Sequence, residues 1–168
     1  MTDLHTHAAA AASAKGKLYL LFRLNDQRFA LDVRQVVEVL PRLPLKPIAQ
    51  APAWVAGIVA HRGVLVPVVD LSALSFGQPA TARTSTRLVL VRYRGEHQLG
   101  LILEQATETL RCLAEEFQPY GLDNPEARYL GPVRQDANGL LQRIEVDDLL
   151  SDTVRELLFP QQSGQVSA

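Results

Sequence analysis

The sequence lacks the features that mark secreted and membrane-spanning proteins. It contains one cysteine, Cys112, so an internal disulfide framework is excluded and a reducing compartment is indicated. No apolar stretch approaches the roughly 20 residues that a membrane-spanning helix needs. The N-terminus carries Asp3 and His5 where a secretory signal would carry basic residues. We therefore expect a cytoplasmic protein.

Charge and aromatic content are both too low to indicate a nucleic-acid-binding surface. The 168-residue chain has 17 Lys+Arg, 18 Asp+Glu and a net charge of −1, and its aromatic content is 6%. Single-stranded nucleic acids bind basic grooves with interleaved aromatic side chains, whereas the basic residues here are scattered. The 47% hydrophobic content is typical of a globular protein with a real core.

Catalytic and metal-binding motifs are absent as well. There is no glycine-rich phosphate loop, no nucleophile elbow and no cysteine pair for zinc. His5 and His7 lie in an alanine-rich tail, and we interpret His97 as a surface residue where a strand begins. Cys112 is interpreted as a small buried side chain rather than a nucleophile. A catalytic group assembled from distant residues stays open, but we expect no enzyme, cofactor or metal.

Alternating apolar residues predict an all-β chain with one terminal helix. A short helical turn is expected to begin at Pro52 and end at Gly57. Asp147 or Asp148 is expected to cap a C-terminal helix that Pro160 ends. The predicted strands are 18–24, 28–33, 36–40, 58–61, 64–69, 87–93, 98–103, 107–111, 130–135 and 140–145.

The second half of the chain repeats the first. Residues 18–40 align with 88–110 in both apolar positions and turns, and the Arg-Gly pair at 62–63 falls near the Asn-Gly pair at 138–139. Asn-Gly is a strong hairpin signal. Two unrelated amphipathic hairpins are the alternative. The agreement of the turns favours a duplicated unit, with the five strands of each copy closing one small barrel.

The segment GIVAHRGVLVPVVDL contains the best candidate for a binding site. It predicts a hairpin whose tip presents His61 and Arg62, where neither side chain has a core role. The Arg62 guanidinium can bind a carboxylate of a partner or that of Glu38 on a neighbouring strand. A solvated turn arginine is the alternative. Because Val36 and Val37 are adjacent on a strand, one of them must face outwards.

Several segments together resemble the CheW-like coupling proteins of bacterial chemosensory systems. They are FRLNDQRFALDVRQVVEVL, GIVAHRGVLVPVVDL, GLILEQATETL and YLGPV, and the resemblance covers about residues 17–152. It implies two packed five-stranded SH3-like β-barrels with a short C-terminal helix. Residues 1–16 would then form a flexible tail, and 153–168 would form the end of the helix and a second tail.

The resemblance also implies a non-catalytic scaffold. Such a protein couples the cytoplasmic tip of a chemoreceptor (a methyl-accepting chemotaxis protein) to the regulatory domain of a CheA-type histidine kinase, and ring assembly with those kinase domains belongs to the same expectation. A same-fold adaptor that competes with the main coupling protein and uncouples the kinase is the alternative. The residues implied for receptor or kinase binding are Val36, Glu38, Gly57, His61, Arg62, Gly63, Val64 and Leu65.

Three positions depart from the family pattern. Ala60 stands where an asparagine is usual, His61 replaces an apolar residue, and Arg143 lies in a run expected to be more apolar. We hypothesise that such changes belong to a coupling protein dedicated to one receptor, in a pathway such as surface sensing rather than motility.

We predict that deletion of residues 1–14 leaves folding intact, because no core pattern reaches them. The truncated and full-length proteins should show the same thermal unfolding midpoint by circular dichroism. Loss of folded protein on truncation would contradict the tail assignment.

Overall fold

The computed structural model describes residues 16–121 and 124–160. Both predicted tails lie largely outside the described residues, so the tail assignments stay predictions. Across the described ranges, no helix has the length and apolar composition needed to cross a bilayer.

Nine strands make up about half of the described chain and lie close to the predicted positions. They are β1 (Lys17–Leu24), β2 (Gln27–Asp32), β3 (Val36–Pro41), β4 (Val55–His61), β5 (Val64–Asp70), β6 (Arg87–Tyr93), β7 (His97–Cys112), β8 (Leu130–Asp136) and β9 (Gly139–Ile144).

The prediction of two strands over 98–103 and 107–111 was wrong, because both belong to the 16-residue strand β7. Gln105 has a φ of 50°, and the register with β1 shifts nearby, where Leu21 pairs with Glu108 but Arg23 pairs with Glu104. Extra residues on one strand of a pair form a bulge, which bends the strand without ending it.

The strands form two five-stranded barrels that share β7. In the first barrel the order is β3-β6-β7-β5-β4, and an isolated bridge between Lys46 and Ile58 closes the ring. In the second the order is β7-β1-β2-β9-β8, and a bridge between Gln118 and Val133 closes it. The two closing bridges occupy matching places in the repeat, which supports the duplication. The expected β-rich fold with a short C-terminal helix is confirmed.

The expectation that each repeat forms its own barrel was wrong. The first barrel combines β3, β4 and β5 of the first repeat with β6 and the first half of β7 from the second. The second barrel combines β1 and β2 with the second half of β7, β8 and β9. Four pairings join the two repeats: the antiparallel pairs β1–β7 and β3–β6, and the parallel pairs β2–β9 and β5–β7.

The two short helices differ from the expected ones. Residues 52–54 form only a turn, and Gly57 lies inside β4. An unpredicted helix α1 (Leu71–Phe76) follows β5. The C-terminal helix α2 (Asp152–Leu158) is capped by Ser151, whose side chain accepts a hydrogen bond from the Val154 amide. Asp147 and Asp148 are not its caps, since they belong to a preceding 3-10 turn.

The largest core cluster extends across both barrels. It contains Leu20 and Phe22 from β1, Tyr93 from β6, Leu101 from β7 and Val154 from α2. Because strands of both barrels bury side chains in one cluster, we expect the barrels to fold as a unit.

We predict that the two halves of the chain cannot fold separately. When the chain is divided between Ala82 and Arg83, the fragment 1–82 loses β6, β7 and β9, so its hairpin β1–β2 and its strands β3 and β5 lose their neighbours in the sheets. Each fragment alone should show no cooperative thermal transition, and an equimolar mixture should recover one. A monomeric fragment 1–82 with its own cooperative transition would contradict the strand exchange.

Candidate functional site

The candidate site lies at the tip of the hairpin formed by β4 and β5. His61 pairs with Val64 across a two-residue turn, in which Arg62 has a φ of 51° and Gly63 a φ of 78°. Two positive φ angles are typical of the type I′ turn, whose twist suits a two-residue hairpin. The predicted hairpin is confirmed. Arginine at the first position is unusual, because a non-glycine residue in this region costs about 1 kcal/mol.

The hairpin tip stands at the seam of the first barrel, by which we mean the gap between β3 and β4. In the described part of the chain, β3 pairs only with β6 and β4 only with β5. Backbone bonds across the seam come from Lys46, which follows β3 and exchanges bonds of 2.9 and 2.8 Å with Ile58. Side chains therefore have room to meet across the rest of the seam.

Glu38 on β3 spans the seam to both residues at the tip. Its Oε2 lies 2.6 Å from His61 Nε2, and its Oε1 lies 3.3 Å from Arg62 Nη2. An ionised carboxylate only accepts hydrogen bonds, so the His61 Nε2 atom must carry the hydrogen in this contact. The sequence left open whether Arg62 meets Glu38 or a partner, and the structure contains the internal contact.

The two contacts with Glu38 differ in how far water reaches them. The exposed fraction of the side chain is 18% for His61, 29% for Glu38 and 77% for Arg62. The His61 contact is both shorter and better shielded. Arg62 makes the kind of exposed pair that contributes about 0–1 kcal/mol.

The two glycines named as site residues have different roles. A side chain at Gly63 would meet no atom within 4 Å, so this position requires glycine only for its turn conformation. Gly57 has a φ of 147°, and a Cβ there would lie 2.5 Å from the backbone oxygen of Lys46. Because Lys46 forms the closing bridge, glycine at position 57 permits barrel closure. This close packing accounts for the glycine without any contact to a binding partner.

The apolar residues around the seam divide into core and surface. Val36 packs against the core, whereas Val37 and Val39 face outwards with 40% and 44% of their surface exposed. Val64 and Leu65 on β5 are exposed at 44% and 71%. The sequence left open which of Val36 and Val37 faces outwards, because both faces of β3 carry valines and alternation alone does not say which is inside.

The corresponding hairpin of the second barrel is a useful contrast. Arg28 donates hydrogen bonds of 2.8 and 3.1 Å to Asp136 near the tip of β8–β9, and Arg134 adds a third of 3.0 Å. The hydrogen bond from Arg28 lowers the pKa of Asp136 below its usual value. Arg134 is only 18% exposed. Both arginines near the second tip thus form ion pairs within the protein, whereas Arg62 at the first tip is exposed to solvent.

The other residues that the sequence offered as metal ligands or nucleophiles are two tail histidines, Cys112 and His97. No cluster of three or more metal-ligating side chains occurs within residues 16–121 and 124–160, and His5 and His7 lie outside them. Burial raises the pKa of the Cys112 thiol, which opposes formation of a nucleophilic thiolate. His97 begins β7 as expected but is half-buried, because its ring stacks on Phe159 at 4.3 Å.

Comparison with known proteins identifies the family. The family model for the CheW-like domain matches residues 18–154. The chain belongs to the CheW-like family. Proteins of this family are non-catalytic scaffolds and adaptors, so the chain is not an enzyme.

Curated relatives and a solved structure agree with this assignment. The chain is 30% identical to the chemotaxis protein CheW of Rhizobium meliloti over 114 residues, which are 68% of this chain and 73% of the relative. It is 29% identical to protein FrzA of Myxococcus xanthus over 134 residues, 78% of this chain and 82% of that protein. The crystal structure of the scaffolding protein TtCheW from Thermoanaerobacter tengcongensis matches with a TM-score of 0.71 at 21% identity, covering 81% and 88% of the two chains. That likeness supports the shared fold.

We predict that Gly57→Ala destabilises this CheW-like protein by about 3 kcal/mol, because the new methyl group meets backbone rather than a flexible side chain. Gly77→Ala is the matched control, since Gly77 also has a positive φ but open space around it, and should cost only about 1 kcal/mol. Urea unfolding measures both. Equal losses would show that the close approach to Lys46 is not the cause.

Proposed function

We propose that this CheW-like protein couples the cytoplasmic tip of a chemoreceptor to the regulatory domain of a CheA-type histidine kinase. The observation that carries the proposal is the family match over residues 18–154, which includes both barrels and the hairpin with Arg62. Members of the family are scaffolds that link these two classes of protein. The protein would act in the cytoplasm, held at receptor arrays by its partners and able to join rings with the kinase domains.

The exposed guanidinium of Arg62 supports a binding role for the hairpin tip. A residue held at a positive φ pays a conformational cost that the fold of the turn alone does not require, because asparagine or glycine would adopt it more easily. Val64 and Leu65 follow the turn and are also exposed. A charged group beside apolar side chains is typical of a surface that binds another protein.

The three residues that differ from the family pattern do not contribute equally to the proposed dedication to one receptor. Arg143 has an internal role, since it pairs with Glu145 at 2.8 Å and lies over the Phe117 ring at 5.4 Å. Ala60 is exposed and His61 contacts Glu38 at the seam. We therefore propose that the dedication, to a pathway such as surface sensing, rests on Ala60 and His61 alone. Restoration of chemotaxis in a strain lacking its general coupling protein would contradict it.

We predict that Arg62→Asp weakens binding to the receptor tip by about 2 kcal/mol or more, since it places a negative charge where a partner carboxylate would lie. The thermal unfolding midpoint should hardly change, because the Arg62 side chain is 77% exposed. Binding is measured by pull-down and calorimetry. The partners are a receptor-tip fragment and the kinase regulatory domain, each alone and both together. A large fall in the midpoint would instead assign Arg62 a structural role.

The matched control is Arg94→Asp. Arg94 and Gly95 repeat the Arg-Gly pair with positive φ angles in the turn between β6 and β7, but Arg94 bonds to Asp147 within the protein. The folded control variant should bind both partners as the wild type does. Wild-type binding to both partners supports the coupler, binding to the kinase alone favours the uncoupling adaptor, and binding to neither overturns the proposal.

A further inference from the structure

His61 and Arg62 compete for one carboxylate, that of Glu38. Glu38 offers one oxygen to His61 and the other to Arg62, at 2.6 and 3.3 Å. The histidine is the stronger of the two partners in this arrangement, because its contact is shorter and less open to water. Hydrogen bonds to an ionised acceptor weaken with distance and with solvent exposure.

The backbone also favours the histidine. His61 is the last residue of β4 and is held by its pairing with Val64, so its ring needs few torsions to be fixed against Glu38. Arg62 lies in the turn itself and reaches back along a long side chain, which loses more conformational entropy when it is held. Holding Arg62 against Glu38 therefore costs more conformational entropy than holding His61 there, and the contact formed is weaker.

We infer that His61 is a positioning residue that satisfies Glu38 and thereby leaves the Arg62 guanidinium available to an acidic side chain of the receptor tip. This inference rests on the proposed coupling function. In the described part of the chain, Glu38 is the sole acceptor bonded to Arg62, so most of its five N–H donors face solvent. A planar guanidinium can bind a carboxylate through two parallel bonds, which the single contact with Glu38 does not provide.

The surroundings define the chemistry of the receptor group. It carries a carboxylate to meet Arg62 and apolar atoms to cover Val64 and Leu65, which expose 44% and 71% of their surface. A surface with an acidic residue flanked by apolar residues satisfies both requirements. With an apolar residue at position 61, Arg62 would be the sole partner of Glu38 at the hairpin tip. Glu38 would then compete directly with the receptor carboxylate for the guanidinium.

A double-mutant cycle between His61 and Glu38 tests this competition. His61→Leu should lower the affinity for the receptor-tip fragment about fivefold, the factor that corresponds to one exposed ion pair. Glu38→Gln added to His61→Leu should restore binding to within about twofold of wild type, because it removes the competing charge. His61→Gln keeps a donor near Glu38 and should bind like the wild type.

His97→Leu is the matched control. It makes the same substitution at a half-buried histidine that stacks on Phe159 and does not contact the seam. Its receptor affinity should equal that of wild type, and thermal unfolding of every variant separates loss of fold from loss of binding. Unchanged binding of His61→Leu overturns the inference. A loss that Glu38→Gln fails to rescue also overturns it, since His61 would then contact the partner itself. A loss confined to the kinase arm overturns the assignment to the receptor.

Nitrogen NMR of the free protein provides a readout that does not depend on any partner. The His61 Nε2 resonance should be that of a protonated nitrogen, and Glu38→Gln should shift it strongly while the resonances of the Arg62 Nη atoms, which contact Glu38 in the structure, hardly move. The reverse pattern would show that Arg62 holds Glu38 and would overturn the inference. If the wild-type protein bound no receptor tip, the coupling function itself would fail, and the NMR result would still decide which residue holds Glu38.

Discussion

Strand β7 is the constraint on which the rest of the structure depends. Its first half pairs with β6 and β5 in one barrel, and its second half pairs with β1 in the other. Because one continuous strand belongs to both rings, neither barrel can move far without disturbing the hydrogen bonds of its neighbour. The two barrels are therefore held in a fixed relative position, which suits a scaffold.

The same arrangement explains where the candidate site lies. A ring of five strands leaves one seam, and in the first barrel that seam is closed by the single bridge at Lys46 and by the contact between Glu38 and His61. The contact between Glu38 and His61 helps to close the barrel, and the edge of the seam beside it is open to solvent. Arg62 stands at this edge with most of its side chain exposed. The contact that helps to close the seam and the exposed guanidinium thus belong to adjacent residues of one hairpin.

Several features of this site could be predicted from the sequence, and the features that could not be predicted depend on tertiary contacts. The Arg-Gly turn and its flanking strands follow from alternation and turn chemistry, which are local properties. The contact of His61 with Glu38 was not expected, because it joins residues 23 positions apart across strands that do not pair. Val37 rather than Val36 faces outwards, since the side that turns to the core depends on how β3 docks on β6.

The sequence by itself determined the β-rich fold class, nearly all strand positions, the internal repeat and the family. These depend on residue periodicity and short turns, which act within a few residues. Only the tertiary structure decided which strands share a barrel, since a repeat whose halves exchange partners has the same local pattern as one whose halves do not. It also decided that Gly57 serves closure and that Glu38 meets His61, because both depend on chain segments that approach each other only when the barrel closes.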